Sequence, residues 1–118
     1  MSWGVIKIEP EVVQWLEQLP DNQFGRVESS IDRLGNLGVH LGEPHTRQLS
    51  GKLRELRFYL GSSGDAYRST YYVATGRRIV LLTVFRKQRR RERAEIKRAM
   101  RAMDRCITEG HTTEAGDE

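Results

Sequence analysis

The chain has a single cysteine, no apolar run near the roughly 20 residues needed to cross a bilayer, and no basic-then-apolar leader. A spanning or exported protein is therefore not expected, and a cytoplasmic one is. Cys106 alone cannot close an internal disulfide, which suits a reducing compartment. At helical spacing among Met100, Met103 and Ile107 it reads as a packed thiol. His40, His45 and His111 match no metal-site spacing, and no second cysteine or carboxylate cluster completes one. Neither a metal nor a cofactor is expected. His45 stays a candidate for proton transfer, because its loop leads directly into a strand.

What the chain does have is charge, unevenly spread. With 118 residues, 37% hydrophobic and 31% charged, it is long enough for one domain with a modest core. Residues 1–107 are expected to form that domain and 108–118 an acidic, flexible tail. The net charge is only +4, yet Arg86–Arg105 holds ten Lys and Arg against three acids. A basic segment beside a near-neutral body is the footprint of a polyanion binder, or of a dock for an acidic partner. A solvated helix face is the plainer alternative.

Ser2–Ile8 reads as a short opening strand. Pro10 and the flanking acids start a helix in which Val12, Trp15, Leu16 and Leu19 form one apolar stripe, and Pro20 ends it. Asp21 is expected to cap a second helix, with Phe24, Val27, Ile31, Leu34 and Leu37 on its buried side. Two closely linked helices of this kind make a hairpin that covers one face of a sheet. Val39–Gly51 reads as loop, broken by Gly42, Pro44 and Gly51. After Lys87 the period becomes helical, with Ile96, Ala99, Met100, Met103 and Ile107 as the apolar stripe and Arg93, Lys97, Arg101 and Arg105 on another face.

Between these parts, Leu53–Leu60, Tyr67–Ala74 and Arg78–Phe85 have strand composition and are divided by Gly61–Asp65 and Thr75-Gly76. The expected fold is α+β: an N-terminal strand, an αα-hairpin, a three-stranded antiparallel meander completing one sheet, and a C-terminal basic helix. A two-residue Thr75-Gly76 loop pairs Tyr72 with Ile79, Thr70 with Leu81 and Arg68 with Thr83; a three-residue loop would reverse the facing. On the two-residue register Tyr67, Tyr71, Val73, Val80, Leu82 and Val84 line the core. Arg68, Thr70, Tyr72, Leu81, Thr83 and Phe85 take the more open face, and alternation in the first strand adds Glu55 and Arg57 to it.

That order of elements, with Leu53-Arg54-Glu55-Leu56-Arg57, then Tyr67-Arg68, then Phe85-Arg86-Lys87, then Ala94-Glu95-Ile96 and Ala99, resembles the RelE/ParE toxin superfamily. The nearest resemblance within it is to the HigB-like branch, also called phage Gp49-like, over about residues 3–107. The resemblance implies a ribosome-dependent mRNA interferase that enters the ribosomal A site, with a helix-turn-helix antitoxin as partner and no membrane. Its reaction would be attack of a ribose 2′-OH on the adjacent phosphate, needing a base, a stabilised phosphorane and a protonated leaving group. Arginine suits the second task through its bidentate fork.

By position, Arg57, Arg68, Arg86 and Lys87 match the family's basic site residues. The implied catalytic set is Arg57, Arg68, Lys87, Tyr67 and Glu55. RNA contacts are expected from Arg54, Arg86, Arg89, Arg90, Arg93 and Lys97. RelE-type enzymes place a tyrosine in the C-terminal helix, and this helix has none; the histidine-and-aspartate set of some HigB proteins is also missing after Phe85. The base is thus open among Tyr67, Tyr72, Glu55 and a lysine. Two other classes compete: a ParE-like protein that binds DNA gyrase without cutting RNA, and a non-toxic nucleic-acid-binding module. Convergence of Glu55, Arg57 and Arg68 on one face favours the nuclease, since binding alone does not require it.

Overall fold

The computed structural model describes residues 2–61 and 64–110, and these build an α+β fold around one mixed sheet. Strand β1 (Val5–Ile8) is followed by helices α1 (Pro10–Glu17) and α2 (Asp21–Leu37). Strands β2 (Thr46–Ser50), β3 (Leu53–Leu60), β4 (Asp65–Ala74) and β5 (Arg78–Arg86) come next, and α3 (Glu92–Arg105) closes the order. The spatial order is β1-β5-β4-β3-β2, antiparallel except where β1 runs parallel to β5.

Both faces of the sheet are covered. Val12 of α1 and Val27, Ile31 and Leu34 of α2 pack on Leu56, Phe58, Tyr71, Ile79 and Leu81. On the opposite face Ala99, Met103 and Cys106 pack on Leu53, Tyr72, Val80 and Leu82. The stripe of α3 is therefore Ile96, Ala99 and Met103, continued by Cys106 just past its end, while Met100 and Ile107 are exposed. The Cys106 thiol is buried and accepts a hydrogen bond from the Tyr72 hydroxyl at 3.4 Å. In α2 the buried side is narrower than its apolar pattern, because Phe24 and Leu37 face solvent. Asp21 lies inside the first turn rather than at the cap, a position held by Pro20.

Two expectations are corrected in the sheet. The segment read as loop contains β2, which pairs with β3 through the short Gly51-Lys52 turn and widens the meander to four strands. The β4–β5 turn has three residues, not two: Ala74 pairs with Arg78, Val73 with Ile79 and Tyr72 with Val80. Arg77 in that turn takes a positive φ of 58°. This reverses the facing near the turn, so Ile79 and Leu81 join Tyr71 and Val73, and Val80 and Leu82 move to the α3 face. A bulge at Thr70/Tyr71 then adds a second one-residue slip, after which Thr70 pairs with Thr83 and Arg68 with Phe85. Two slips restore the parity. Arg68, Thr83 and Phe85 therefore share the face expected of them, as Val84 shares the other. The backbone N–H of Thr83, freed by the bulge, donates to the Thr70 hydroxyl at 3.2 Å.

Side chains close the edge of β5 where β1 stops. β1 ends at Ile8, opposite Leu81, while β5 continues to Arg86. Beyond that point the Val84 N–H donates to a Glu11 carboxylate oxygen at 3.0 Å, and Arg98 donates to the Val84 carbonyl at 3.4 Å. Arg98 also bridges Glu11 and Glu95, linking α1 to α3 around the strand. The hydrogen bond that Arg98 donates to Glu11 holds its guanidinium above the ordinary pKa, outweighing the desolvation that lowers it, and Glu95 adds to the rise. A raised folded-state pKa means the contribution is full below the unfolded value. It is lost only as pH climbs through the folded one, far into alkali.

The join between β1 and α2 depends on a close approach. Gly35 accepts backbone hydrogen bonds from Trp3 and Gly4 at 3.0 and 3.1 Å. Gly38 has φ +53°, and a Cβ there would stand 2.1 Å from the Trp3 ring. Gly51 has a similar φ of +55° with nothing within 4 Å of its Cβ position. Gly51→Ala should therefore cost only backbone strain, about 1–2 kcal/mol, and Gly38→Ala that strain plus about 1–3 kcal/mol of overpacking. Urea denaturation checks the ordering; equal losses would show that the ring moves aside freely.

Candidate functional site

Strand alternation puts Glu55, Arg57 and Tyr59 of β3 on the α3 face, and cross-strand register puts Arg47 of β2 opposite Glu55 and Arg68 of β4 opposite Arg57. The apolar stripe of α3 covers the other end of this face, over Leu53, Tyr72, Val80 and Leu82. Beyond it the sheet presents charge.

Glu55 is 1% exposed, and one of its oxygens, Oε2, meets three guanidiniums through their Nε atoms: Arg57 at 3.3 Å, Arg68 at 3.4 Å and Arg47 at 3.5 Å. A carboxylate this deep would be costly to bury without opposite charge beside it. The guanidiniums supply that charge in excess: three positive charges surround one negative. The Arg57 contact is a hydrogen bond, whereas the Nε groups of Arg47 and Arg68 are buried without a hydrogen-bond acceptor among the described residues. All three arginines turn Nε toward Glu55, which directs their terminal nitrogens elsewhere. Arg68 uses Nη1 to hold the Tyr67 carbonyl at 3.1 Å.

The arginines differ in depth. The side chains of Arg47, Arg57 and Arg68 are 37%, 17% and 4% exposed, so Arg68 forms a floor and the other two a rim. Over the floor lies Tyr59, its ring centroid 6.0 Å from the Arg68 guanidinium carbon and 58% of the residue exposed. Arg47 reaches Glu92 at the start of α3, at 3.7 Å. The basic end of α3 is thereby moored beside the cluster.

Not all the residues expected at a site gather here. Glu55, Arg57 and Arg68 converge. Glu55 is too deeply enclosed to meet a substrate proton and stands as the counter-ion of the arginines. Arg86 is exposed and pairs with Asp65 at 3.0 Å. Lys87 is exposed just beyond it, its backbone N–H bonded to the Ala66 carbonyl. Arg89 and Arg90 stand in a short 3₁₀ turn before α3, and Arg93 and Lys97 on the exposed side of that helix. Arg54 points to the opposite face, donating to the Tyr71 hydroxyl and to Thr46 Oγ1, both at 3.2 Å. Tyr67 also faces away from the arginines, its ring 5.6 Å from that of Trp15. Tyr72 lies beneath α3.

Arg47 and Tyr59 are the additions. Arg47 sits on the strand read as loop, and the signal for it was the Gly51-Lys52 pair, a two-residue hairpin link ahead of β3. Tyr59 follows Arg57 by two residues and so shares its face. His45 is exposed beside Arg57, whose backbone N–H donates to the His45 carbonyl at 2.9 Å. Its ring nitrogen Nδ1 lies 3.2 Å from Arg33. Arginine can only donate, so Nδ1 accepts and the ring proton resides on Nε2. No group of three or more potential metal ligands occurs among the described residues. A cleft of about 580 Å³ lies elsewhere, between the start of α1 and α3, where Glu11 ties down Arg98.

The cluster should fail without its anion. Glu55→Gln removes the carboxylate shared by three guanidiniums, leaves Arg47 only its contact with Glu92, and is expected to lose about 3–5 kcal/mol of stability. Adding Arg68→Met should recover part of the loss, because it removes the most deeply buried unpaired cation. Denaturant titration of the two variants checks this, and a Glu55→Gln protein as stable as the parent would show that the carboxylate is dispensable.

Known proteins share this arrangement of elements. Escherichia coli toxin RelE, as a double arginine-to-alanine mutant in the free state, superposes with a TM-score of 0.58 at 14% identity, over 89% of this chain and 98% of RelE. The RelE–RelB complex from the archaeon Pyrococcus horikoshii contains a chain that superposes at 0.56 with 27% identity, over 75% of this chain and 99% of its own. No curated protein sequence matches significantly. The profile of the phage-derived Gp49-like proteins matches residues 14–104, which takes in α2, all of β2–β5 and nearly all of α3. The chain belongs to the Gp49-like family, within the RelE superfamily.

Proposed function

We propose that this protein is the toxin of a type II toxin–antitoxin pair and that it cleaves mRNA on the ribosome. The observation that carries the reading is the arginine cluster: three guanidiniums on one buried carboxylate, with positive charge left over at the sheet surface. Such an arrangement is built in advance for an anion. A phosphodiester passing to a phosphorane gains negative charge, and donors fixed beforehand stabilise that gain without having to reorganise.

In this reading Arg57 and Arg47, on the rim, fork the non-bridging phosphate oxygens. Arg68 supports them from the floor and adds its field. The ribose 2′-OH attacks the adjacent phosphorus, the bond to the 5′-oxygen breaks, and the products are a 2′,3′-cyclic phosphate and a free 5′-hydroxyl. Tyr67, Tyr72 and Glu55 do not present themselves for proton transfer, so that task falls to an exposed group. Lys87, following Arg86, and His45, beside Arg57, are the exposed candidates. Arg89, Arg90, Arg93 and Lys97 serve as nonspecific phosphate contacts that hold the ribosome–mRNA complex. Arg54 has no part in this, being turned to the other side of the sheet.

The archaeal relative is a complex with RelB, which supports an antitoxin partner for this chain as well. A helix-turn-helix protein encoded beside it is the expected form. No helix among the described residues is long and apolar enough to cross a membrane.

Primer extension on mRNA from cells expressing the protein tests the reading. Cuts at fixed codon positions should appear with the parent chain and fall by at least about 100-fold in Arg57→Gln, the loss of a charge-assisted phosphate contact in the transition state. Arg57 is on the rim and its replacement leaves Arg47 and Arg68 beside Glu55, and a circular-dichroism spectrum like the parent's checks that the variant is folded. Intact mRNA together with a supercoiling defect would replace the nuclease with a gyrase-binding toxin, and intact mRNA without growth arrest would reduce it to a binding module.

A further inference from the structure

Tyr59 has the properties of a base-stacking platform. It is a large aromatic side chain more than half exposed, on a sheet face that otherwise buries its rings. The Arg68 guanidinium lies 6.0 Å from its centroid and helps hold it in place. It lines a groove of about 310 Å³ together with Arg26, Ser30, Pro44, His45 and Arg57. That volume is in the range of small-ligand clefts. The groove passes from the rim of the arginine cluster around the edge of β3 to Phe58 and α2 on the other face of the sheet, so it continues the site instead of duplicating it.

We infer that this groove binds the nucleotide next to the reacting phosphate, with its base stacked on Tyr59 and its phosphates between Arg57 and Arg26. The inference rests on the RNA-cleaving reading and names how that site would grip its substrate. Interleaving of a flat exposed ring with guanidiniums is what single-stranded nucleic acid requires: cations follow the backbone while rings take the bases. An acidic peptide would use the cations but has no need of the ring. The Nε2–H of His45, left as a donor by the Arg33 contact, offers a hydrogen bond to a base edge or phosphate. Stacking is tolerant of base identity, so the site confers grip more than sequence preference.

The test measures binding, not cleavage. Fluorescence anisotropy is read at low salt with a short 2′-O-methyl oligoribonucleotide, which cannot react, and with the same oligonucleotide carrying one abasic position in turn. Tyr59→Ala should weaken binding of the complete oligonucleotide by about 5- to 150-fold. On the oligonucleotide lacking the stacked base the same variant should lose less than about 2-fold, and Tyr59→Phe should bind like the parent. Equal losses on both probes would show that Tyr59 acts only by holding Arg68, and no loss on either would show that the ring is idle; each overturns the inference. Failure of the parent chain to bind either probe would also overturn it. The cleavage reading is judged separately by primer extension, so a protein that cuts mRNA but ignores the missing base would lose the platform and keep the function.

Discussion

Three guanidiniums cannot occupy neighbouring sites on a sheet without an anion among them, and the Glu55 carboxylate is what makes the arrangement possible here. The dependence runs both ways. Glu55 could not be almost fully buried without the cations, and Arg68 could not lie at 4% exposure without Glu55. Each buried charge makes the other tolerable, and the excess is delivered to the surface, where an anion can use it. Cross-strand pairing sets the geometry, because Arg47 stands opposite Glu55 and Arg57 opposite Arg68. A site of this kind is specified by register as much as by residue type.

The rest of the fold protects that register. The α1–α2 hairpin seals one face with a continuous apolar layer, and α3 seals half of the other. α3 does not extend its apolar stripe over the arginines; it presents Glu92 to Arg47 there and turns basic. The boundary between packed core and charged site thus falls within one sheet face, at the step from Thr70 to Arg68. A buried hydroxyl pair, Thr70 with Thr83 at 2.6 Å, marks the transition.

The three long strands, the two N-terminal helices and the C-terminal helix were all legible in the sequence from their periods and breakers. The convergence of Glu55, Arg57 and Arg68 was legible as well, though partly for the wrong reason. The Thr75-Gly76 signal concealed a third turn residue, Arg77, which a two-residue reading could not anticipate, and the bulge at Thr70/Tyr71 has no signature in side-chain type. Their effects cancel at Arg68 but not between them, so the two-residue register puts Val80, Leu81 and Leu82 on the wrong faces. Depth was not legible at all. Nothing in the string Leu-Arg-Glu-Leu-Arg says that the glutamate is the most enclosed of its charges, since that follows from which strands flank it. Arg47 was missed because β2 is short, polar and bounded by glycines, and gains its conformation from pairing with β3 rather than from its own composition.

The Glu11–Arg98 contact at Val84 bears on association as well as on folding. A strand edge with free N–H and C=O groups is a template on which another chain can add. β5 would offer such an edge past Ile8, and it does not, because a carboxylate and a guanidinium already occupy the groups at Val84. The outer side of β2 has no equivalent cover from a further strand of the sheet. β1 and β2 are the two outer strands of the sheet, and a strand added on the β2 side would lie beside Arg47. A partner docked in that way would rest against the arginine cluster.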